Sequence, residues 1–333
     1  MKKFFVTLLG LASLMACNNE EKVGPQPDPI LEFSDTFIEV KTRGAANPSI
    51  TTQNIDAFYV WAYMDIPVAN VFDGELVQKQ DNEWKYEPLH YWVGSRNYYF
   101  GAIAPVEHAN ISVDASKTSI HGLGEISFTN LDGTDDLIYA SKKVTTSKDV
   151  INDFPEKVSL QFAHLLSKIK FTFTNGFPNK NTKLVVKNIK MEVPQEGTIN
   201  VAEQGWRSNA NAWEITDKTL WLEFGDIEGG AQLESASSGE CEFERLTISG
   251  DETRRYNIAF DVEVYQGDYD VPGYAGSKNI VLTGEQLKMG KHYNLKATID
   301  ATNILPEGEL SPIKFDLIEV DNWIEEEDID NKI

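Results

Sequence analysis

A side-chain period of two runs through most of this chain, and it restricts the fold more than any other feature. Ile169, Phe171 and Phe173 alternate with Lys168, Lys170, Thr172 and Thr174. Ile189, Met191 and Val193 alternate with Lys190 and Glu192. Tyr256, Ile258, Phe260, Val262 and Val264 alternate with Asn257, Asp261 and Glu263, and Tyr293, Leu295, Ala297 and Ile299 with Asn294, Lys296 and Thr298. Successive side chains of an extended strand point to opposite faces, so each run buries one face and wets the other. That is the signature of antiparallel sheets. Further strands are predicted over 34–42, 55–64, 97–104, 125–130, 136–141, 219–224, 278–283 and 312–320. Turn clusters separate them, among them Asp132-Gly133-Thr134-Asp135, Ser249-Gly250-Asp251 and Thr283-Gly284-Glu285. No stripe of helical period appears. Many short strands between such turns predict an all-β fold of β-sandwiches.

A length of 333 residues suits two sandwiches in tandem better than one. The expected division is 44–177 and 178–333, with Gly176 to Asn181 as the linker; a cut near 150–156 is the alternative. The chain carries 52 Asp+Glu against 30 Lys+Arg, a net charge of −22. That acidity, with no run of Lys and Arg in the sequence, argues against a nucleic-acid partner and against polybasic adhesion to anionic lipid. Its two cysteines, Cys17 and Cys241, build neither a disulfide framework nor a thiolate zinc site.

The N-terminus reads as an address. Lys2 and Lys3 precede an apolar run from Phe4 to Ala16. At about thirteen residues that run is too short for a membrane span of ~20 and fits the core of a secretory signal. It ends in Leu14-Met15-Ala16-Cys17, which looks like a bacterial lipobox, where the cysteine thiol is acylated and becomes the new N-terminus. The alternative is an ordinary signal with an incidental cysteine. Several acyl chains anchor stably, at ~0.8 kcal/mol per buried CH₂. Residues 18–30, with Gly24, Pro25, Pro27 and Pro29, form a linker. With Cys17 lipidated, Cys241 is alone, and a buried inert thiol is expected.

The catalytic inventory is thin. His90, His108, His121, His164 and His292 show no HExxH spacing. Neither a G-x-S-x-G elbow nor a phosphate loop occurs. Asp132, Asp135 and Asp136 lack the spacing of a calcium loop and read as a polar turn. His164 reads as a satisfied, half-buried strand residue. Trp61, Trp92 and Trp221 lie in apolar strand runs and read as core. The expectation is therefore a protein that is no enzyme, with no catalytic residue, metal or cofactor.

Several stretches together resemble the fimbrillin family, the subunits of type V pili in Bacteroidetes-type bacteria. After the lipobox an apolar strand ends in Lys41-Thr42-Arg43-Gly44. Next come Arg96-Asn97-Tyr98-Tyr99-Phe100-Gly101-Ala102-Ile103-Ala104-Pro105, Asp135-Asp136-Leu137-Ile138-Tyr139-Ala140 and Leu160-Gln161-Phe162-Ala163-His164-Leu165-Leu166-Ser167-Lys168-Ile169. The last piece is Phe315 to Trp323. Each piece is degenerate, but their shared order is specific.

The resemblance implies two transthyretin-like or Ig-like sandwiches behind a lipoprotein signal, 1–17, and a removable propeptide, 18–43. It implies lipid attachment at Cys17, holding the precursor in the outer membrane, exposed at the cell surface. A trypsin-like protease would then cut between Arg43 and Gly44. Residues 31–42 would fill the N-terminal sandwich of the precursor, with Thr36, Ile38 and Val40 on one face and Phe33 and Phe37 on the other. Their release would open a sheet edge for a strand from the next subunit. The donor is expected at 312–320, with Ile313, Phe315, Leu317 and Val320, and a bulge where Leu317-Ile318 breaks the phase. The implied partners are other fimbrillin subunits in a head-to-tail polymer and a host or bacterial surface ligand. The competing readings are a surface lipoprotein that binds glycans or host ligands on its loops, and a hydrolase with an acid pair. The last fifteen residues hold seven acids and one Lys, a self-repelling tail beside the expected donor strand.

Overall fold

The alternating runs form strands in the computed structural model, which describes residues 29–35, 37–38, 49–114, 124–153, 155–201, 213–227, 230–250, 253–283, 287–304 and 313–322. β1 is Phe37–Ile38, β2 Ala57–Asp65, β3 Val68–Gln80, β4 Glu83–Lys85 and β5 Asn97–Ala104. β6 is Ile111–Asp114, β7 Glu125–Thr129, β8 Ile138–Thr145, β9 Gln161–His164 and β10 Leu166–Asn175. β11 is Thr182–Pro194, β12 Glu196–Asn200, β13 Trp213–Ile215, β14 Thr219–Gly225 and β15 Ser238–Glu240. β16 is Arg245–Ile248, β17 Tyr256–Gln266, β18 Tyr274–Leu282 and β19 Lys291–Ile299. A single helical turn, α1 (Ala301–Ile304), precedes β20 (Asp316–Asn322). No helix among the described residues is long and apolar enough to cross a membrane.

The strands enclose two cores. A seven-stranded sheet, β1-β9-β8-β5-β2-β3-β4, and a four-stranded sheet, β13-β12-β7-β6, supply the first, with Phe58, Val60, Phe100, Phe128 and Trp213. The second lies between β14-β11-β17-β18 and β15-β10-β19-β20, with β16 on β10. Its centre is Phe171, Phe173, Met191, Phe260 and Leu295. The period-two reading is met residue for residue in β17, where Tyr256, Ile258, Phe260, Val262 and Val264 are buried.

The chain passes from the first core to the second at Leu165, between β9 and β10. The expected boundary at 177–178 falls inside the second core. β10 already pairs in parallel with β19, and the turn 176–181 joins β10 to β11 of the same sandwich. β12 and β13 then return to the first core, where β12 pairs with β7 and β13 with β12. β3 shows why some strands escape a period-two reading. Its register against β2 slips at Val60/Trp61 and again at Ala62/Tyr63, and each bulge resets the phase. Gly74 sits at this irregularity with φ +78°, and a Cβ there would stand 3.0 Å from the Trp61 ring. Only glycine fits both the backbone and the indole.

Candidate functional site

The N-terminal segment does more for the first core than its length suggests. Leu31 is fully buried and Phe33 is 3% exposed. The Phe33 ring meets Phe58, Phe72, Tyr86 and Phe100 at centroid distances of 5.5, 5.7, 5.9 and 6.2 Å, all edge-on. Edge-to-face pairs of this kind add to the area they bury. The backbone is tied as well. Leu31 donates to the His90 carbonyl at 2.9 Å, and its own carbonyl accepts from the Tyr86 hydroxyl at 2.6 Å. Burial pushes that phenol up to about 12. Val158 and Ser34 bond on the other side, and β1 then lies parallel to β9 with Ile38 opposite Phe162. The segment does not fill the space completely. A cleft of about 790 Å³ lies along it, lined by Leu31, Phe33, Leu76, Trp84 and Tyr86 and spanned by the Glu32–Lys157 ion pair at 3.2 Å. Of the face assignment expected for residues 33–40, Phe33 is an inward residue, while Thr36 and Val40 lie outside the described residues.

The C-terminal segment plays the same part in the second core. Ile313 and Phe315 are 4% and 8% exposed. The Phe315 ring touches Phe171, Phe173 and Phe260 at 5.6, 5.8 and 6.1 Å. Leu317 is half-buried against the same core, and Ile318 points outward. β20 runs antiparallel to β19 at the edge of its sheet. The expected irregularity at Leu317-Ile318 is displaced. Those residues pair regularly with Leu295 and Asn294, and the register slips where Tyr293 pairs with Glu319 and His292 with Asp321. Val320 is thus the bulged residue. Cys17, Arg43 and Gly44 lie outside the described residues.

The motif residues of the middle of the chain meet at the junction of the two cores. Asp136 and His164 have fully buried side chains, with Nδ1 2.9 Å from Oδ2. The Asp136 carboxylate also accepts the backbone N–H groups of Ile50 and Leu137, each at 2.8 Å. His164 is therefore buried rather than half-buried, because β8 and β9 pair directly there, Ile138 opposite it. Lys168, 1% exposed at its side chain, pairs with Glu244 at 2.5 Å. Burial lowers its pKa, against the pull of Glu244. Burial likewise holds His292, its neighbour across β10 and β19, down to about 4. These groups lock the crossing point; no group of three or more His, Cys, Asp or Glu among the described residues is arranged for a metal. Cys241 is buried, bonded to the Phe171 N–H and Phe243 carbonyl, and its thiol is pushed up to about 11 by burial. Trp61 and Trp92 are core, as expected, but Trp221 is 43% exposed under the Lys190 ammonium. It sits on the outer face of β14, out of phase with the buried Leu222 and Phe224.

Two sandwiches, each with a terminal segment inserted into its core, make up an all-β fold with two cores. The fimbrillin-like family profile matches residues 42–312, most of the chain. The chain belongs to the fimbrillin-like family. Among solved structures, a fimbrial protein from Bacteroides vulgatus superposes with a TM-score of 0.59 at 13% identity, covering 87% of this chain and 99% of that one. A Bacteroides ovatus protein assigned to cell adhesion gives 0.51 at 15% identity, over 91% and 100%. At these identities the likeness establishes the fold. No curated protein matches the chain.

Proposed function

We propose that this protein is a structural, non-enzymatic subunit of a surface fimbria. It is exported as a lipoprotein held in the outer membrane through Cys17, trimmed between Arg43 and Gly44, and polymerised by donor-strand exchange. The observation that carries this reading is the position of Phe33. It is the hub of an aromatic core, yet it belongs to the segment that trimming would remove. Burying one large apolar side chain is worth ~1.5–3 kcal/mol. Loss of Leu31 and Phe33 together therefore leaves an apolar vacancy that must be refilled. The C-terminal segment supports the reading by its pattern. Leu31-Glu32-Phe33 and Ile313-Lys314-Phe315 are both aliphatic, charged, Phe, with the charged residue exposed and the other two buried. The second triplet is shaped to occupy the place of the first. Because the donor and the acceptor are different surfaces, the contact is heterologous and propagates into a filament.

One experiment tests anchor, cut and exchange together. Membranes carrying the precursor are treated with an arginine-specific protease, which spares Lys41. Wild type is expected to leave the membrane fraction and appear as a ladder of polymers. The Arg43→Ala precursor is expected to stay membrane-bound and monomeric. Release and polymerisation of Arg43→Ala at the wild-type level would refute processing at this bond.

A further inference from the structure

The four most exposed large apolar side chains among the described residues lie in two hairpin turns. Ile66 and Val68, 66% and 68% exposed, flank the β2–β3 turn; Tyr269 and Val271, 77% and 75% exposed, sit in the β17–β18 turn. Exposed apolar groups gathered at one spot mark an interaction surface.

The registers put these turns at opposite ends of the molecule. In the first sandwich, Ile138 pairs with His164 and Ala104 at the junction. Thr145 pairs with Asn97 at the far end of the same strand, roughly 24 Å away at ~3.4 Å per residue. The Asp65 carboxylate accepts from the Asn97 backbone and side chain there, so the 66–68 turn caps that far pole. In the second sandwich β10 leads away from the junction and ends at Asn175, opposite Ile299. Gln266 of β17 pairs with Thr182, whose carbonyl accepts from the Asn175 side chain, and Gly267 bonds to the Asn181 carbonyl. The 267–273 turn therefore caps the other pole.

The terminal segments obey the same geometry. The N-terminal segment enters the first core beside residues 90–93, where Trp92 bonds to the Pro29 carbonyl and Val93 to the Tyr98 hydroxyl, and it runs toward the junction at Ile38. That places its start at the far pole of the first sandwich. The C-terminal segment starts at the far pole of the second, where Asp316 pairs with Lys296 and Lys278 bonds to the Asn303 carbonyl of α1. A donated segment leaving the second pole follows the path of Leu31 and Phe33, in the same direction, only if that pole meets the first pole of the next subunit.

Charge agrees with this. In a chain of −22, Arg96, Lys142 and Lys148 lie toward the first pole with no ion pair to a described carboxylate, while Lys143, on the opposite face of β8 from Lys142, lies over the Tyr99 ring. Asp65, bonded to Asn97, Asp149, bonded to Ile151 and Asn152, and Asp153 beside it remain charged, so the four bases exceed the acids here by one. Asp268 and Asp270 flank Tyr269 at the second pole, with Lys180 the nearby base.

We propose that the two poles form an axial contact between successive copies of this chain. Tyr269 and Val271 pack on Ile66 and Val68, with Asp268 and Asp270 facing the basic cluster. The contact rests on the head-to-tail reading above. It is tested on the trimmed protein by elongation rate. Reversing Asp268→Lys with Asp270→Lys is expected to slow elongation at least tenfold. Adding Lys142→Glu with Lys148→Glu to that same chain is expected to restore it, which a folding defect would not allow. A synthetic peptide of residues 310–322 reads strand exchange separately, since it binds the vacated core without any pole contact. If the peptide binds and the reversed variant elongates at the wild-type rate, or is not rescued, the pole contact is wrong and strand exchange stands. If the peptide does not bind the trimmed protein, strand exchange is wrong, while charge rescue alone still reports the pole contact.

Discussion

Replacing Phe33 with Ala is expected to lower the unfolding free energy of the untrimmed chain by about 3–5 kcal/mol. The size follows from its surroundings. The ring is 3% exposed and is held by four other aromatic rings, each from a separate piece of chain. β2 and β5 supply Phe58 and Phe100, and they are fixed in the middle of the seven-stranded sheet. They cannot collapse onto the gap, so the cavity term is near its upper range. The effect should also be confined to the precursor. A polymer built from trimmed Phe33→Ala protein no longer contains residue 33, and its stability should equal that of the wild-type polymer. Urea titration of both forms checks this. A loss under 1 kcal/mol in the precursor, or an equal loss in the polymer, would mean that Phe33 is not the plug of a replaceable strand.

Asp136→Ala is expected to cost about 3–5 kcal/mol, because it leaves a buried imidazole and a buried backbone donor without their acceptor. The carboxylate takes Ile50, Leu137 and His164 at once. Ile50 lies just beyond the expected cut, and the Asn54 side chain closes the same turn by bonding the Thr51 N–H and the Ser49 carbonyl. Asp136 therefore ties the turn at 49–54, a few residues beyond the expected cut, to the junction of the two cores. Its loss should unfold the first sandwich at lower denaturant while leaving β17–β18 of the second protected in hydrogen exchange. Uniform loss of protection in both sandwiches would contradict a local clasp.

The strands of the second core were legible because their own phase is unbroken: the register slips beside β17 and β19 fall in their partners β11 and β20. β3 was not, since two register slips and Gly74 scramble its period. The crossing at Leu165 was also hidden. β9 and β10 read as one apolar run, and only pairing partners far along the chain, β8 for one and β19 for the other, divide them. The obvious turn at Gly176 drew the boundary instead. Of the site, the alternation of Ile313 and Phe315 was visible, as was Phe33. Their roles as centres of two separate cores were not, because an aromatic cluster is assembled from strands distant in sequence. The pairing of Asp136 with His164 was equally invisible as chemistry, although both lie in the stretches that carry the family resemblance.

The central claim is that this protein builds a surface filament. It is tested most directly by immunogold electron microscopy of sheared surface material from cells that express it. The account predicts gold on filaments from wild-type cells and label confined to membrane vesicles when Arg43→Ala replaces the wild-type chain. Label confined to vesicles in both, with no decorated filament, would contradict it.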